Sequence, residues 1–428
     1  MRNDVKKYCS LGFVNFFLKH VRGQSDFSFK TMNFNRYINI IRDKNLLIFI
    51  LFVCAMLTQF SCRKPFEPTL NSPQTGYLVV EGFINVKGVT AIELSRTKKL
   101  EEQVVYKPEL KANVQIIGEN SNTYEVKEKT NGLYESDILD LPAQKYHLKI
   151  KTADGKEYES KLIEGKPTPP IDSLSWEREQ AGVGIKVNSH DDQNKTKYYK
   201  WTYDEVWEIH ANVPVIYKFI NQINPSINTD SISVVNRTLD EQKKIYYCWQ
   251  NNSSSEILLG SSAKLSKDII SSPINFIPND NVRLAILYSI NVKQTALDLD
   301  GYNFYLNLKN NTETNGSIFD HQPSETTGNI VCLTDPQEQV IGYVGVATVE
   351  EKRIFIQPLP DWNYKFLCNY EVLKISLNQD TLAKYVASYQ PIDYVFAGPV
   401  LIGYQVINSG CADCATRGDN KRPSFWPN

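Results

Sequence analysis

The sequence predicts a mainly β protein, an N-terminal antiparallel Ig-like β-sandwich followed by further β-rich units with a few short helices. From Tyr77 onward, short segments alternate polar and apolar side chains and are rich in Val, Ile, Thr and Tyr. Gly, Asn and Asp turn signals separate these segments at intervals of about 8–12 residues, the spacing of sandwiches. The chain has 428 residues, 42% of them hydrophobic and 22% charged, which suits two or three packing units and excludes disordered, collagen-like or coiled-coil architectures for its bulk.

The N-terminal region carries an address. Residues 46–60, LLIFILFVCAMLTQF, contain no charge. At 1.5 Å per residue the run covers about 22 Å, short of a ~30 Å hydrocarbon core, so it reads as a signal-peptide apolar region. Arg36, Arg42 and Lys44 form the positive region before it, and Ser61-Cys62 follow it. A small residue and then Cys at this place resembles the lipobox of bacterial lipoproteins, although Gln59 and Phe60 depart from that pattern. The resemblance implies lipidation of the Cys62 thiol, which becomes the first residue of the mature chain. An uncleaved anchor helix and ordinary secretion are the alternatives. Each buried CH2 contributes about 0.8 kcal/mol, so two or three acyl chains would hold the protein on a bilayer almost permanently. Counting from Met32 gives a signal of ordinary length, so Met32 is the expected start and residues 1–31 a spurious extension. Nine of the 47 basic and three of the 48 acidic residues precede Cys62, leaving an exported body near −7 that offers no basic surface for nucleic acid.

The expected layout follows the chain. Residues 62–74 form a Pro-rich tether. Residues 75–165 form the sandwich, with strands in YLVVEGFINV, TAIELSR, NVQIIG, TYEVKEK, YHLKIKT and KEYESKLI, and turns at Lys87-Gly88, Asn131-Gly132 and Asp154-Gly155. The run Lys166-Pro-Thr-Pro-Pro170 marks a boundary, because proline cannot donate to a sheet ladder. Residues 166–428 form the C-terminal β-rich region, with a sub-boundary near 221–245. Its strands are IDSLSWERE, GVGIKVNS, KYYKWTYDEVWEIHA, VRLAILYSINVKQ and VIGYVGVATVEEKRIFI, and Asp191-Asp192-Gln193-Asn194 is a turn. The polar stretch at 221–250 reads as a long hairpin or loop. Leu297, Tyr302, Tyr305 and Leu308 lie at helical spacing and predict a helix over 296–311 despite Gly301. A shorter helix over 380–388 opens on Asp380 as N-cap.

The patterns of familiar catalysts are missing: there is no G-x-x-x-x-G-K-[ST], H-E-x-x-H or G-x-S-x-G. Gly182-Val183-Gly184 lacks a third glycine and lies within a strand pattern. His147, His190, His210 and His321 are too few and too scattered for a His-rich metal site, and no metal site or cofactor is expected. Asp298-Leu299-Asp300-Gly301 has part of a calcium loop but lacks its third acidic position and distal Glu, so a helix start is the simpler reading. Beyond Cys62 five cysteines remain, Cys248, Cys332, Cys368, Cys411 and Cys414, and at least one must be unpaired. Cys411-Ala-Asp-Cys414 could be half a zinc site or a redox pair. The simpler reading is structural disulfide bonding that pins the C-terminal tail, with Cys411, Cys414, Cys248 and Cys368 as candidates and the connectivity open.

In YYKWTYDEVWEI, Trp201, Tyr203, Glu205, Trp207 and Ile209 share one face of a strand. Aromatic rings beside a carboxylate can form a platform for a sugar or a peptide side chain. They form a sandwich core far more often, with Glu205 near its edge. Both readings stand at the level of sequence.

Several segments together resemble one family: LVVEG (78–82), IDSLSW (171–176), YYKWTYDEVWEI (198–209), YCW (247–249), the run 288–330, VIGYVGVATVEEKRIFI (340–356) and CADCATRGDNKRPSFW (411–426). They look like the Bacteroidota envelope lipoproteins catalogued as domain of unknown function 4249. The resemblance implies an outer-membrane lipoprotein, often encoded beside a TonB-dependent receptor, with no established enzymatic activity and no catalytic residues to carry over. The resulting expectation is a non-enzymatic accessory of such a receptor in nutrient uptake. The alternative is an envelope structural or adhesion protein that binds polysaccharide or another surface protein. Acidic residues often follow the acylated Cys in surface-exported relatives. Here Arg63-Lys64-Pro65-Phe66-Glu67 does not, leaving surface and periplasmic display both open.

Overall fold

The computed structural model describes residues 76–98, 106–224, 229–313, 328–375 and 385–427. Cys62 and the expected signal segment and tether lie outside them. The chain is mainly β, organised in three regions that each solve the problem of burying one face of a sheet.

The first region is a ten-stranded sheet. Its strands Leu78–Gly82, Ala91–Arg96, Asn113–Gly118, Thr123–Thr130, Leu133–Ser136, Lys145–Lys151, Glu157–Ser160 and Ile163–Glu164 follow the predicted alternation. Lys145–Lys151 shows it plainly: Tyr146, Leu148 and Ile150 are buried while His147 and Lys149 between them are not. Residues 75–165 do not complete this sheet alone. Ile330–Cys332 pairs with Glu157–Ser160 at one edge, and Val340–Gly342 runs parallel to Leu78–Gly82 at the other. Only seven residues separate these two added strands, so one short connection spans both edges and the sheet must roll up around its core. Leu78, Leu94, Ile116, Tyr146, Leu148 and Ile150 fill that core.

A buried carboxylate fastens the closure. Glu338, between the two added strands, accepts from Tyr158 Oη at 2.7 Å and from Arg96 at 3.1 Å, and it pairs with Lys156. Arg96 also pairs with Glu109 at 2.6 Å. Burial and Glu338 together push the Tyr158 hydroxyl well above its usual range.

The second region is a two-layer sandwich. One layer is Ile171–Glu179, Gly182–His190 and Ile269–Pro278. The other has the order Tyr247–Ser253, Tyr198–His210, Tyr288–Leu297, Val349–Ile356, with Leu258–Ser261 also paired to Tyr198–His210. Asp191 makes the turn between two of these strands by accepting backbone N–H bonds from Gln193, Lys195 and Thr196. Those bonds hold its carboxyl below the usual range, although burial alone would raise it. The Pro-rich boundary is held beside Thr348: Thr168 N donates to Thr348 Oγ1 at 2.8 Å, and Ala296 N donates to Thr168 Oγ1 at 3.0 Å.

Several elements differ from expectation. VRLAILYSINVKQ is not one strand, since Val282–Leu284 is a short 3-10 turn and the strand begins at Tyr288. VIGYVGVATVEEKRIFI splits into Val340–Gly342, Val346–Ala347 and Val349–Ile356. Gly342, at φ +149°, allows the first break, and a Cβ there would lie 2.2 Å from the Val80 carbonyl oxygen. The helix at Leu299–Glu313 starts three residues after its expected position. Asp298 caps it, accepting from Gly301 N and from Tyr343 Oη. The expected helix over 380–388 is helical at 385–388, and its start falls outside the described residues.

The polar 217–246 stretch is a hairpin, Tyr217–Asn224 with Thr229–Asn236, followed by a helix at Leu239–Tyr246. Thr238 and Glu241 form a reciprocal capping box at the start of that helix. Tyr370–Lys374, Val400–Asn408 and Tyr389–Ala397 form a last small sheet, with Val215, Ile407 and Ala412 in a satellite core. Two disulfides hold the C-terminal part: Cys248–Cys414 joins the tail to the second sandwich, and Cys368–Cys411 lies within the third region, while Cys332 is a buried free thiol. The first closes a loop of 166 residues and the second one of 43, so both remove considerable freedom from the unfolded chain. Among the described residues no helix is long and apolar enough to cross a membrane.

Candidate functional site

The aromatic face of Tyr198–His210 is core. Trp201, Glu205, Trp207 and Ile209 are all buried, and Tyr203 packs partly buried against the same cluster. The reading of these residues as a ligand platform is therefore corrected. Their strand lies between Tyr247–Ser253 and Tyr288–Leu297, and its inner face meets Val183, Ile185, Val187 and Ile277 of the facing sheet. Glu205 also sits away from any sheet edge. It is fully buried, accepting from Tyr288 Oη (2.7 Å), Asn252 (2.9 Å) and Asn275 (3.1 Å), and pairing with Arg283 at 3.2 Å. Such saturation satisfies the charge and leaves it no free lone pair for a ligand.

The opposite face of the same strand builds the site. Directly opposed residues on paired strands share a face. Glu208 lies opposite Trp249, and His210 opposite Tyr247, so all four project from the outer surface of the sheet. The C-terminal tail then crosses this surface. Trp249 and Asp419 exchange backbone hydrogen bonds, N to O at 2.8 Å and 2.9 Å in the two directions. Trp426 packs edge-on against Trp249 (6.4 Å between ring centres) and Phe355 (5.5 Å), and its indole N–H donates to Glu208 Oε2 at 3.0 Å. Glu208 Oε1 lies 2.6 Å from His210 Nε2. The contacts with His210, and secondarily with Trp426, hold the Glu208 carboxyl below its usual range against the opposing effect of burial.

The result is a cleft of about 630 Å³. Tyr247, Trp249 and Trp426 supply its aromatic surface, and Lys243, Lys244 and Arg422 its positive charge. Tyr247 is 42% exposed, while Trp249 and Trp426 are nearly buried. None of the three cations forms an ion pair with a carboxylate among the described residues. The buried indole N–H of Trp249 has no hydrogen-bond partner among the described residues. A second groove, of about 320 Å³, shares Lys243 and Tyr247 and continues past Leu239 and Tyr246.

The cysteines frame this site. Cys248 lies between Tyr247 and Trp249, and its bond to Cys414 anchors the tail that supplies Arg422 and Trp426. The zinc and redox readings of Cys411-Ala-Asp-Cys414 do not fit, because each thiol is consumed in a bond to a different partner. Sequence reasoning missed the cleft because its residues come from 208, 243–249, 287, 357 and 420–427. The one available signal was the alternate register of the strand that carried the aromatic stripe.

Comparison with known proteins places the chain. The model of the family described as "Domain of unknown function (DUF4249)" matches residues 63–353. The chain belongs to that family. The match takes in the first sheet and the second sandwich, and the tail that completes the DUF4249 cleft lies beyond it. No curated protein matches. Among solved structures, the chain is similar to the BSP domain of a biofilm-associated protein at 11% identity, over 51% of this chain and 27% of that one, with a TM-score of 0.17. It is also similar to a segment of two fibronectin type-III domains from chicken tenascin at 10% identity, over 52% of this chain and 91% of that one, with a TM-score of 0.15.

Proposed function

We propose that this protein is a non-enzymatic binding component of the outer membrane, held there by acyl chains on Cys62, that captures ligand for a TonB-dependent receptor in nutrient uptake. The observation that carries the reading is the cleft. It combines an accessible aromatic ring, amide side chains at Gln357 and Asn420, and cations that form no ion pair with a carboxylate among the described residues, the composition of a recognition surface. Its one carboxylate, Glu208, is committed to His210 and Trp426 and suits positioning better than proton transfer. The Pro-rich 62–74 segment would give the anchored body reach. The test is co-purification from detergent-solubilised membranes. Wild type should recover an outer-membrane receptor, and Cys62→Ser should leave the membrane fraction. Recovery of no membrane-protein partner across several growth conditions would contradict the proposal.

A second reading, envelope adhesion, has its own support in the small C-terminal sheet. Tyr370, Val372, Phe396 and Val400 are each more than half exposed there and offer an apolar contact surface.

A further inference from the structure

We infer that the cleft between Tyr247 and Arg422 selects acidic sugars, oligosaccharides built from uronic acids whose carboxylates meet its unpaired cations. The inference rests on the reading of this cleft as the ligand site and adds the class of ligand.

Charge gives the first argument. Lys243 and Lys244 come from the last turn of a helix and Arg422 from the tail, so positive charge enters the cleft from two separate segments. Arg422 spends its hydrogen bonds on the neutral backbone oxygens of Trp426 and Pro427, and the charge of Glu208 offsets its own only in part, without an ion pair between them. Glu208, the nearby carboxylate, is already engaged by His210 and Trp426. The net field therefore favours a ligand with several negative charges spaced along it.

Shape and backbone give the second. A peptide that adds a strand needs a free ladder, and at Trp249 the outer ladder of this sheet is occupied by Asp419. Recognition here falls to side chains. An exposed tyrosine ring and amide groups are the surfaces that stack on a pyranose face and bond its hydroxyls. Anionic charge on a saccharide frame meets both conditions at once.

The test is calorimetry on the full-length protein in detergent micelles. The probes are a galacturonate tetrasaccharide, a hyaluronate tetrasaccharide, the methyl ester of the first, and neutral maltotetraose. At least one acidic probe should bind about tenfold or more tightly than the ester and maltotetraose, with affinity falling as salt rises. Arg422→Gln should weaken the acidic probe about tenfold and leave any binding of maltotetraose unchanged. Tyr247→Ala, at a position 42% exposed, should weaken every probe that binds. Equal affinity for acid and ester, or an Arg422→Gln protein that binds the acid normally, would overturn the acidic preference. If Tyr247→Ala still abolished binding in that case, the cleft would stand as the site. Failure of both acidic probes to bind wild type would also overturn the inference, and receptor co-purification would still judge the proposed function separately.

Discussion

Glu338→Ala should loosen the first sheet specifically at its two borrowed strands. The side chain is almost fully buried and serves Tyr158, Arg96 and Lys156 from the connection between Ile330–Cys332 and Val340–Gly342. Removing one partner of a buried ion pair costs about 3–5 kcal/mol when the other charge is orphaned. Arg96 is not orphaned, because Glu109 remains 2.6 Å away. Lys156 is about one-third exposed and can turn to water. What remains is the Tyr158 hydroxyl, a buried donor without its acceptor at about 1–3 kcal/mol, plus the small volume lost. The expected total is about 2–3 kcal/mol. Glu338→Gln keeps an acceptor for Tyr158 and should cost roughly half of that. Urea unfolding gives the magnitude, and hydrogen exchange gives the location, with 328–342 losing protection ahead of the second sandwich. A loss below about 0.5 kcal/mol, or a loss of protection spread evenly over the chain, would refute the idea that this carboxylate fastens the closure.

Other expectations are more quickly stated. Cys248→Ser with Cys414→Ser should free the tail and abolish ligand binding while the first sheet keeps its exchange protection; a variant that binds normally would show that the tail is held by other means. Replacing Glu205 by Ala leaves Arg283 without its partner and Tyr288 without its acceptor, so it should cost about 3–5 kcal/mol in urea unfolding, against under 1 kcal/mol for a change at exposed Glu177. The Glu208 carboxyl is depressed in the folded protein, so its contribution to holding Trp426 is present above the ordinary carboxylate range and is lost as pH falls through its lowered value. An acid titration of tryptophan fluorescence should show that transition in wild type, and Glu208→Gln should remove it.

Much of this architecture was legible in the sequence, for physical reasons that also mark where legibility ends. Period-two alternation with turn residues located most of the strands from Leu78 to Glu164, though not Leu133–Ser136 or Leu139–Asp140, because each strand buries one face and hydrates the other. The 330–342 strands could not be attached to that sheet by the same logic, since pairing across some 170 and 260 residues leaves no local trace beyond β propensity. Trp201 and Trp207 were placed on one face correctly, but the strand's position within its sheet decides whether such a face is core or platform. Four cysteines were candidates for bonding, and which thiols meet depends on the packing of the tail against Tyr247–Ser253. The cleft is harder still to read: its residues are individually unremarkable, and the cross-strand pairs Glu208–Trp249 and His210–Tyr247 together with the disulfide-held tail bring them together.

Hydrogen exchange of the full-length protein, with and without the galacturonate tetrasaccharide, tests the central claim of a ligand cleft made by the disulfide-anchored tail. The account predicts new protection at 243–249 and 420–427, with the first sheet unchanged. Protection centred on the first sheet or on the 370–408 sheet, with those two segments exchanging as before, would contradict it.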